Sequence, residues 1–126
     1  MDKAEYVLLV TKDLFFVPVI RGLAESLDLE ILVTSKWQWQ VEPGGADPIA
    51  AIVDLSAISL NDLPEIAKHL DSVTRLQAKS AFGSHVHTIR LERAQEFGFD
   101  PVLTKGQVQH SLSKALQAWS KAAESP

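Results

Sequence analysis

The sequence contains no cysteine, which excludes a disulfide framework, a thiolate metal site and a cysteine nucleophile together. Long apolar runs are missing as well. The longest, such as Tyr6 to Val10 and Ile49 to Val53, fall far short of the roughly 20 residues needed to cross a bilayer. There is no basic cluster: the 12 lysines and arginines are scattered and the formal net charge is −4, so nothing resembles the concentrated charge that displaces counterions from a phosphate backbone. No glycine-rich phosphate loop, Gly-x-Ser-x-Gly elbow or dinucleotide fingerprint occurs. The start, Met1-Asp2-Lys3-Ala4-Glu5, has neither the basic segment nor the small-residue cleavage site of a secretory signal. These absences point to a cytoplasmic protein whose direct partners are neither nucleic acid nor membrane.

What is present is enough to fill one core. A chain of 126 residues with 46% hydrophobic content fits a single domain over residues 1–126, with only Glu124-Ser125-Pro126 expected to fray. Tyr6 to Val10 is a continuous apolar run, the pattern of a strand buried on both faces of a parallel sheet. Phe16, Val19, Ile20, Leu23 and Leu27 then recur at steps of three and four, which predicts a helix over residues 15–27 with Pro18 in its first turn. Leu29 to Val33 and Ile49 to Leu55 repeat the strand pattern. A second helix is predicted near Asp62, where Asp62 and Glu65 have capping-box spacing around Pro64. A fourth strand is assigned within Arg75 to Phe82, a helix to Thr88–Phe97 closed by Gly98 as a left-handed cap, a short strand to Pro101–Leu103, and a final helix to Gln107–Ala122. Strand and helix alternate, so the fold class is α/β: a doubly wound, five-stranded parallel sheet with helices on both faces.

One stretch breaks the rhythm. Between the second and third strands, Trp37, Trp39 and Val41 alternate with glutamines and give way to Pro43-Gly44-Gly45. Period-two patterning and a glycine pair suit an extended segment and a loop, so the helix due here is short or missing. The two tryptophans are expected to fold back over the sheet face left bare; the competing reading is an exposed aromatic contact for a partner.

In open α/β sheets the functional crevice lies beyond the carboxyl ends of the strands. The residues there are Thr11, Lys12 and Asp13 after the first strand, Asp54 at the third, Gly83, Ser84 and His85 after the fourth, and Thr104 and Lys105 after the fifth. Ile52-Val53-Asp54-Leu55 resembles the phosphoacceptor strand of the receiver domains of two-component response regulators. Gly98-Phe99-Asp100-Pro101-Val102-Leu103-Thr104-Lys105 resembles the run that delivers the invariant lysine of those domains. Ala81-Phe82-Gly83-Ser84-His85-Val86-His87 is similar to a run in a receiver-like branch with a histidine after the fourth strand. The resemblance implies the flavodoxin-like strand order 2-1-3-4-5, a part in signal transduction, Asp54 as phosphoacceptor-like residue and Lys105 as the lysine equivalent.

The departures from the receiver pattern are as informative. Thr11 and Lys12 stand where receivers carry two adjacent acidic residues that hold magnesium, and Asp13 comes one position late. A lysine there removes a carboxylate ligand and repels the ion, so magnesium is expected to bind weakly or not at all, with no other cofactor. The switch hydroxyl falls at Gly83 or Ser84, the switch aromatic is Val102, and the prolines expected near the aspartate and after the lysine are Ile58 and Gly106. The resemblance is therefore to a degenerate receiver, or pseudo-receiver. It implies no enzyme activity and signalling by contact with a kinase or output protein, or by a homodimer, through Arg90, Arg93, Ala94 and exposed positions after Gln107. Two alternatives remain open at this point: an atypical phosphoacceptor that uses Asp54 and Lys105, and a small metal-dependent enzyme built on Asp54, His85 and His87. For Asp54 the favoured role is an ion pair with Lys12 or Lys105, Lys12 standing in for the missing cation. For His85 and His87 it is a loop leading into a helix; His69 and His110 are expected to face solvent.

Overall fold

The computed structural model describes residues 5–41 and 44–124, so Pro43 in the predicted loop and the expected fraying of Ser125 and Pro126 lie outside the described residues, while Glu124 closes the last helix. In strand β1 (Tyr6–Val10), Val7, Leu8 and Leu9 have no exposure and Val10 has 1%. A strand dry on both faces has to be flanked by neighbouring strands and covered above and below. The rest of the chain supplies this: α1 (Val17–Glu25), β2 (Glu30–Thr34), β3 (Ala50–Asp54), α2 (Leu63–Asp71), β4 (Ala78–Gly83), α3 (Thr88–Glu96), β5 (Val102–Thr104) and α4 (Val108–Glu124). All pairings are parallel and the order is β2-β1-β3-β4-β5, as the alternation and the resemblance predict.

Alternate residues of each strand feed two cores. Val7, Leu9, Ile52 and Phe82 pack with Ile20 of α1 and Leu112 and Leu116 of α4. Leu8, Val10, Ala51 and Val53 pack with Ile66 and Leu70 of α2, Ala94 of α3 and Phe99. Among the described residues no helix is long and apolar enough to cross a membrane.

Several boundaries differ from the sequence reading for local reasons. α1 starts at Val17, because Oδ1 of Asp13 accepts the Phe15 N–H at 2.9 Å and holds the preceding residues in a turn. Asp62 forms no capping bond. The chain enters α2 through a 3₁₀ turn, Leu60–Asp62, capped by the Ser59 hydroxyl, so Asp62 already has helical backbone angles and cannot reach back. β4 begins at Ala78, because residues 74–75 form a turn closed by the Leu76 N–H on the Val73 carbonyl at 3.3 Å.

Between β2 and β3 no helix forms among the described residues. Trp37 and Trp39 are half-buried and pack against the core on the α2/α3 face, as expected. Trp39 meets Tyr6 edge-on with ring centroids 6.4 Å apart, and Trp37 meets His69 at 6.1 Å. His69 is half-buried and not free in solvent as the sequence suggested: its Nε2 hydrogen-bonds the Trp39 carbonyl at 2.6 Å. Helical periodicity alone places His69 on the outer face of α2; the indole-bearing segment folds across that face and covers it. His110 is exposed.

Gly98 closes α3 with φ +86°, and a Cβ there would lie 3.1 Å from Nζ of Lys79. We therefore expect Gly98→Ala to lower stability by about 1–2 kcal/mol, because the residue is left-handed and the lysine must shift. Urea denaturation of the two proteins measures the difference.

Candidate functional site

Asp54 ends β3, a strand whose five residues are all buried, and is itself 1% exposed. A carboxylate in that position needs donors on both oxygens. The Thr11 hydroxyl donates to Oδ2 at 2.8 Å, and Ser56 donates to Oδ1 through its N–H at 3.0 Å and its hydroxyl at 2.7 Å. Ser56 is available because Asp54 caps the 3₁₀ turn Leu55–Ala57. Thr11 is available because it continues β1, its N–H bonded to the Thr34 carbonyl at 2.9 Å, with 3% exposure. The Asp13 N–H donates to the Thr11 hydroxyl oxygen at 3.1 Å, which leaves the hydroxyl proton for the aspartate.

The expected ion pair with a lysine is not formed. Among the described residues no salt bridge joins Lys12 or Lys105 to Asp54. The reason is alternation: Thr11 turns inward at the end of β1, so Lys12, one residue later, turns out and is exposed. Lys105 is half-buried at the head of the turn Lys105–Gln107 that follows β5. Thr104 at that end gives its N–H to Oε1 of Gln107 at 2.9 Å.

The other crevice residues divide between support and rim. Gly83 is buried, with Leu55 and Leu91 nearest its α-carbon substituent position. The Ser84 hydroxyl accepts the Val86 N–H at 3.4 Å, so the single oxygen in the switch position serves its own turn. His85 and His87 are exposed, and His87 occupies the cap of α3. Among the described residues no group of three or more His, Asp or Glu side chains is placed to hold a metal, so Asp54, His85 and His87 do not converge on one.

Magnesium, which the fold implies, does not fit this donor set. The position of one acidic ligand is a threonine that spends its proton on Asp54, Asp13 is turned to the Phe15 amide, and both Asp54 oxygens already carry donors.

Two features were outside the sequence reading. Arg90 of α3 is half-buried and donates from Nη1 to the carbonyls of Leu55 and Ile58 at 3.0 and 3.2 Å, tying α3 to the loop after Asp54. It is thus not the open partner residue that was expected, and Ala94, with no exposure, belongs to the core; Arg93 is exposed beside Glu96. The crevice rim is also apolar: Leu14 and Phe15 on the β1–α1 loop are 72% and 75% exposed, Val86 and Ile89 around the start of α3 67% and 62%. The spacing of Asp54 and Ser56 was a readable turn signal, but the bond from Thr11 spans 43 positions and has no local signature.

No protein-family model matches the chain, and no curated protein sequence matches it. Solved structures do. A response regulator receiver protein from Pseudoalteromonas atlantica superposes with a TM-score of 0.74 at 16% identity, covering 94% of this chain and 99% of that one. A response regulator CheY-like protein from Mesorhizobium loti gives 0.72 at 17% identity over 93% and 99%. The receiver domain of a sensor histidine kinase from Pseudomonas aeruginosa, a structure with a magnesium ion coordinated in its active-site cleft, gives 0.69 at 17% identity over 94% and 99%. The chain has the fold of response regulator receiver domains.

Thr11→Val, which keeps the shape and removes the donor, is expected to cost about 1–3 kcal/mol by leaving a buried carboxylate oxygen unmet. Thr11→Ser should retain most of that stability, and Lys12→Ala should change it by less than about 0.5 kcal/mol. Equilibrium unfolding of the three variants checks the order, and a large loss in Lys12→Ala would restore the ion-pair reading.

Proposed function

We propose that residues 1–126 form one receiver-like signalling module of the response-regulator type that acts in the cytoplasm by protein–protein contact, without metal-dependent phosphorylation and without enzyme activity. The partner is a kinase or an output protein; membrane and nucleic acid are not its targets. The observation that carries this reading is the closed carboxylate: Asp54 accepts three hydrogen bonds, from Thr11 and Ser56. In a phosphoacceptor the same oxygen has to attack phosphorus while a cation neutralises the transferred group, which demands an open carboxylate beside acidic ligands. The apolar rim of Leu14, Phe15, Val86 and Ile89 supports contact as the mode of action, because exposed apolar side chains around a crevice favour docking of another protein surface.

The alternative is an atypical phosphoacceptor using Asp54 and Lys105, favoured by their shared position at the carboxyl ends of β3 and β5. One experiment separates the two. After incubation with a small phosphodonor and magnesium, the intact mass of the protein should show no phosphoryl adduct, whereas Thr11→Asp combined with Lys12→Asp should bind magnesium by calorimetry. The double variant should also unfold more easily without metal, since a carboxylate at position 11 replaces the hydroxyl that donates to Asp54 and repels it instead. A wild-type adduct that disappears in Asp54→Asn would establish the alternative.

A further inference from the structure

The two edges of the sheet are unequal. β5 is 3 residues long, whereas β2 runs for 5 residues in continuous register with β1 and contains no lysine, proline or bulge between Glu30 and Thr34. Proteins ordinarily blunt a free edge with those devices or cover it with a helix. The helix that would shelter β2 on the α2/α3 face is the one missing between β2 and β3 among the described residues. The consequence is visible at Leu32: its neighbour in register, Leu8, has no exposure, while Leu32 is 41% exposed. A groove of about 420 Å³, lined by Leu32, Val33, Thr34, Trp39 and Tyr6 among others, runs along this face.

The backbone pattern says which groups are open. The Glu30 N–H bonds the Glu5 carbonyl at 3.0 Å and the Thr34 carbonyl accepts the Thr11 N–H at 2.9 Å, so residues 30 and 34 turn toward β1. By alternation Leu32 does so too, and Ile31 and Val33 present their N–H and C=O groups outward. The Leu29 N–H, which would extend the edge, is already bonded to the Ala24 carbonyl at 3.0 Å.

We propose that β2 pairs antiparallel with β2 of a second copy about a two-fold axis at Leu32, joining two sheets into one. This register sets Ile31 against Val33 of the other copy as a doubly hydrogen-bonded pair, twice over by symmetry. Leu32 meets Leu32 at a non-hydrogen-bonded position, where side chains approach most closely. The occupant is a second copy because the edge is self-complementary in charge. The acidic start of the strand, Asp28 and Glu30, meets the basic end, Lys36, of the partner strand, and no like charges face each other. Asp28, Glu30 and Lys36 are all exposed, and none forms a salt bridge among the described residues. Pairing two strands of this length buries little surface, so the dimer belongs to the weak, reversible class. The proposal does not rest on the reading of the crevice.

The absence of cysteine makes the test clean. Leu32→Cys places one thiol per chain at the axis, and non-hydrogen-bonded antiparallel pairs bring α-carbons to about 4.5 Å, inside disulfide range. Mild oxidation should convert this variant to a covalent dimer much faster than Leu14→Cys, a more accessible control on the β1–α1 loop. Sedimentation velocity on the unmodified chain should show concentration-dependent dimer. Leu32→Lys should raise its dissociation constant by roughly 10-fold or more. Lys36→Glu should weaken the dimer, and combining it with Asp28→Lys and Glu30→Lys should restore it. A wild-type chain that stays monomeric up to about 1 mM, the weak end of specific association, overturns the proposal. So does a dimer that survives Leu32→Lys, or equal cross-linking of the two cysteine variants.

Discussion

A carboxylate with 1% exposure at the end of an apolar strand is the constraint around which the top of this molecule is arranged. Nothing in β3 can satisfy it, so the donors have to come from the turn that follows and from the neighbouring strand. Ser56 and Thr11 answer that need, and each in turn fixes its own segment: the 3₁₀ turn after β3, and the tight passage from β1 toward α1. Among the described residues no buried side-chain polar atom is left without a partner. The crevice is thus held together by neutral hydroxyls and amides where the sequence suggested opposite charges. Its surface charges, Lys12 and Asp13, are turned away from its centre.

The fold was legible because it rests on features that are local and repeated. The apolar run Tyr6–Val10, the three-and-four spacing in α1 and α4, and Gly98 each announce one element without reference to any other. Their alternation leaves few topologies. The resemblance around Asp54 and Lys105 then pointed to the strand order that the structure has. What was not legible was pairwise and distant. Thr11 meeting Asp54, His69 meeting the Trp39 carbonyl and Arg90 meeting Leu55 and Ile58 are side-chain bonds between elements brought together only by the sheet. Lys12 illustrates the limit well: the sequence put a cation next to the right position, and a single step of side-chain alternation turned it to solvent.

The segment between β2 and β3 shows how an α/β fold tolerates the loss of a covering helix. Two half-buried indoles, one edge-on to Tyr6 and one to His69, supply apolar cover near the centre of the sheet, where Leu8 stays dry. Leu32, which lines a groove together with Trp39, nevertheless stays 41% exposed. The cover is therefore graded across the α2/α3 face, complete at Ala51, Val53 and Leu8 and thin at Leu32, in keeping with the replacement of a cylinder about 10 Å wide by a flat ring system.

Arg90 gives α3 a mechanical character that a helix held only by apolar packing lacks. Apolar contacts resist separation but permit sliding, whereas a guanidinium seated on two carbonyls resists both, each charge-assisted bond contributing about 1.5–3 kcal/mol. α3 and the loop from Leu55 to Ile58 are bolted together. Moving α3 relative to the segment beside Asp54 therefore requires breaking both bonds, a resistance that apolar packing alone does not supply.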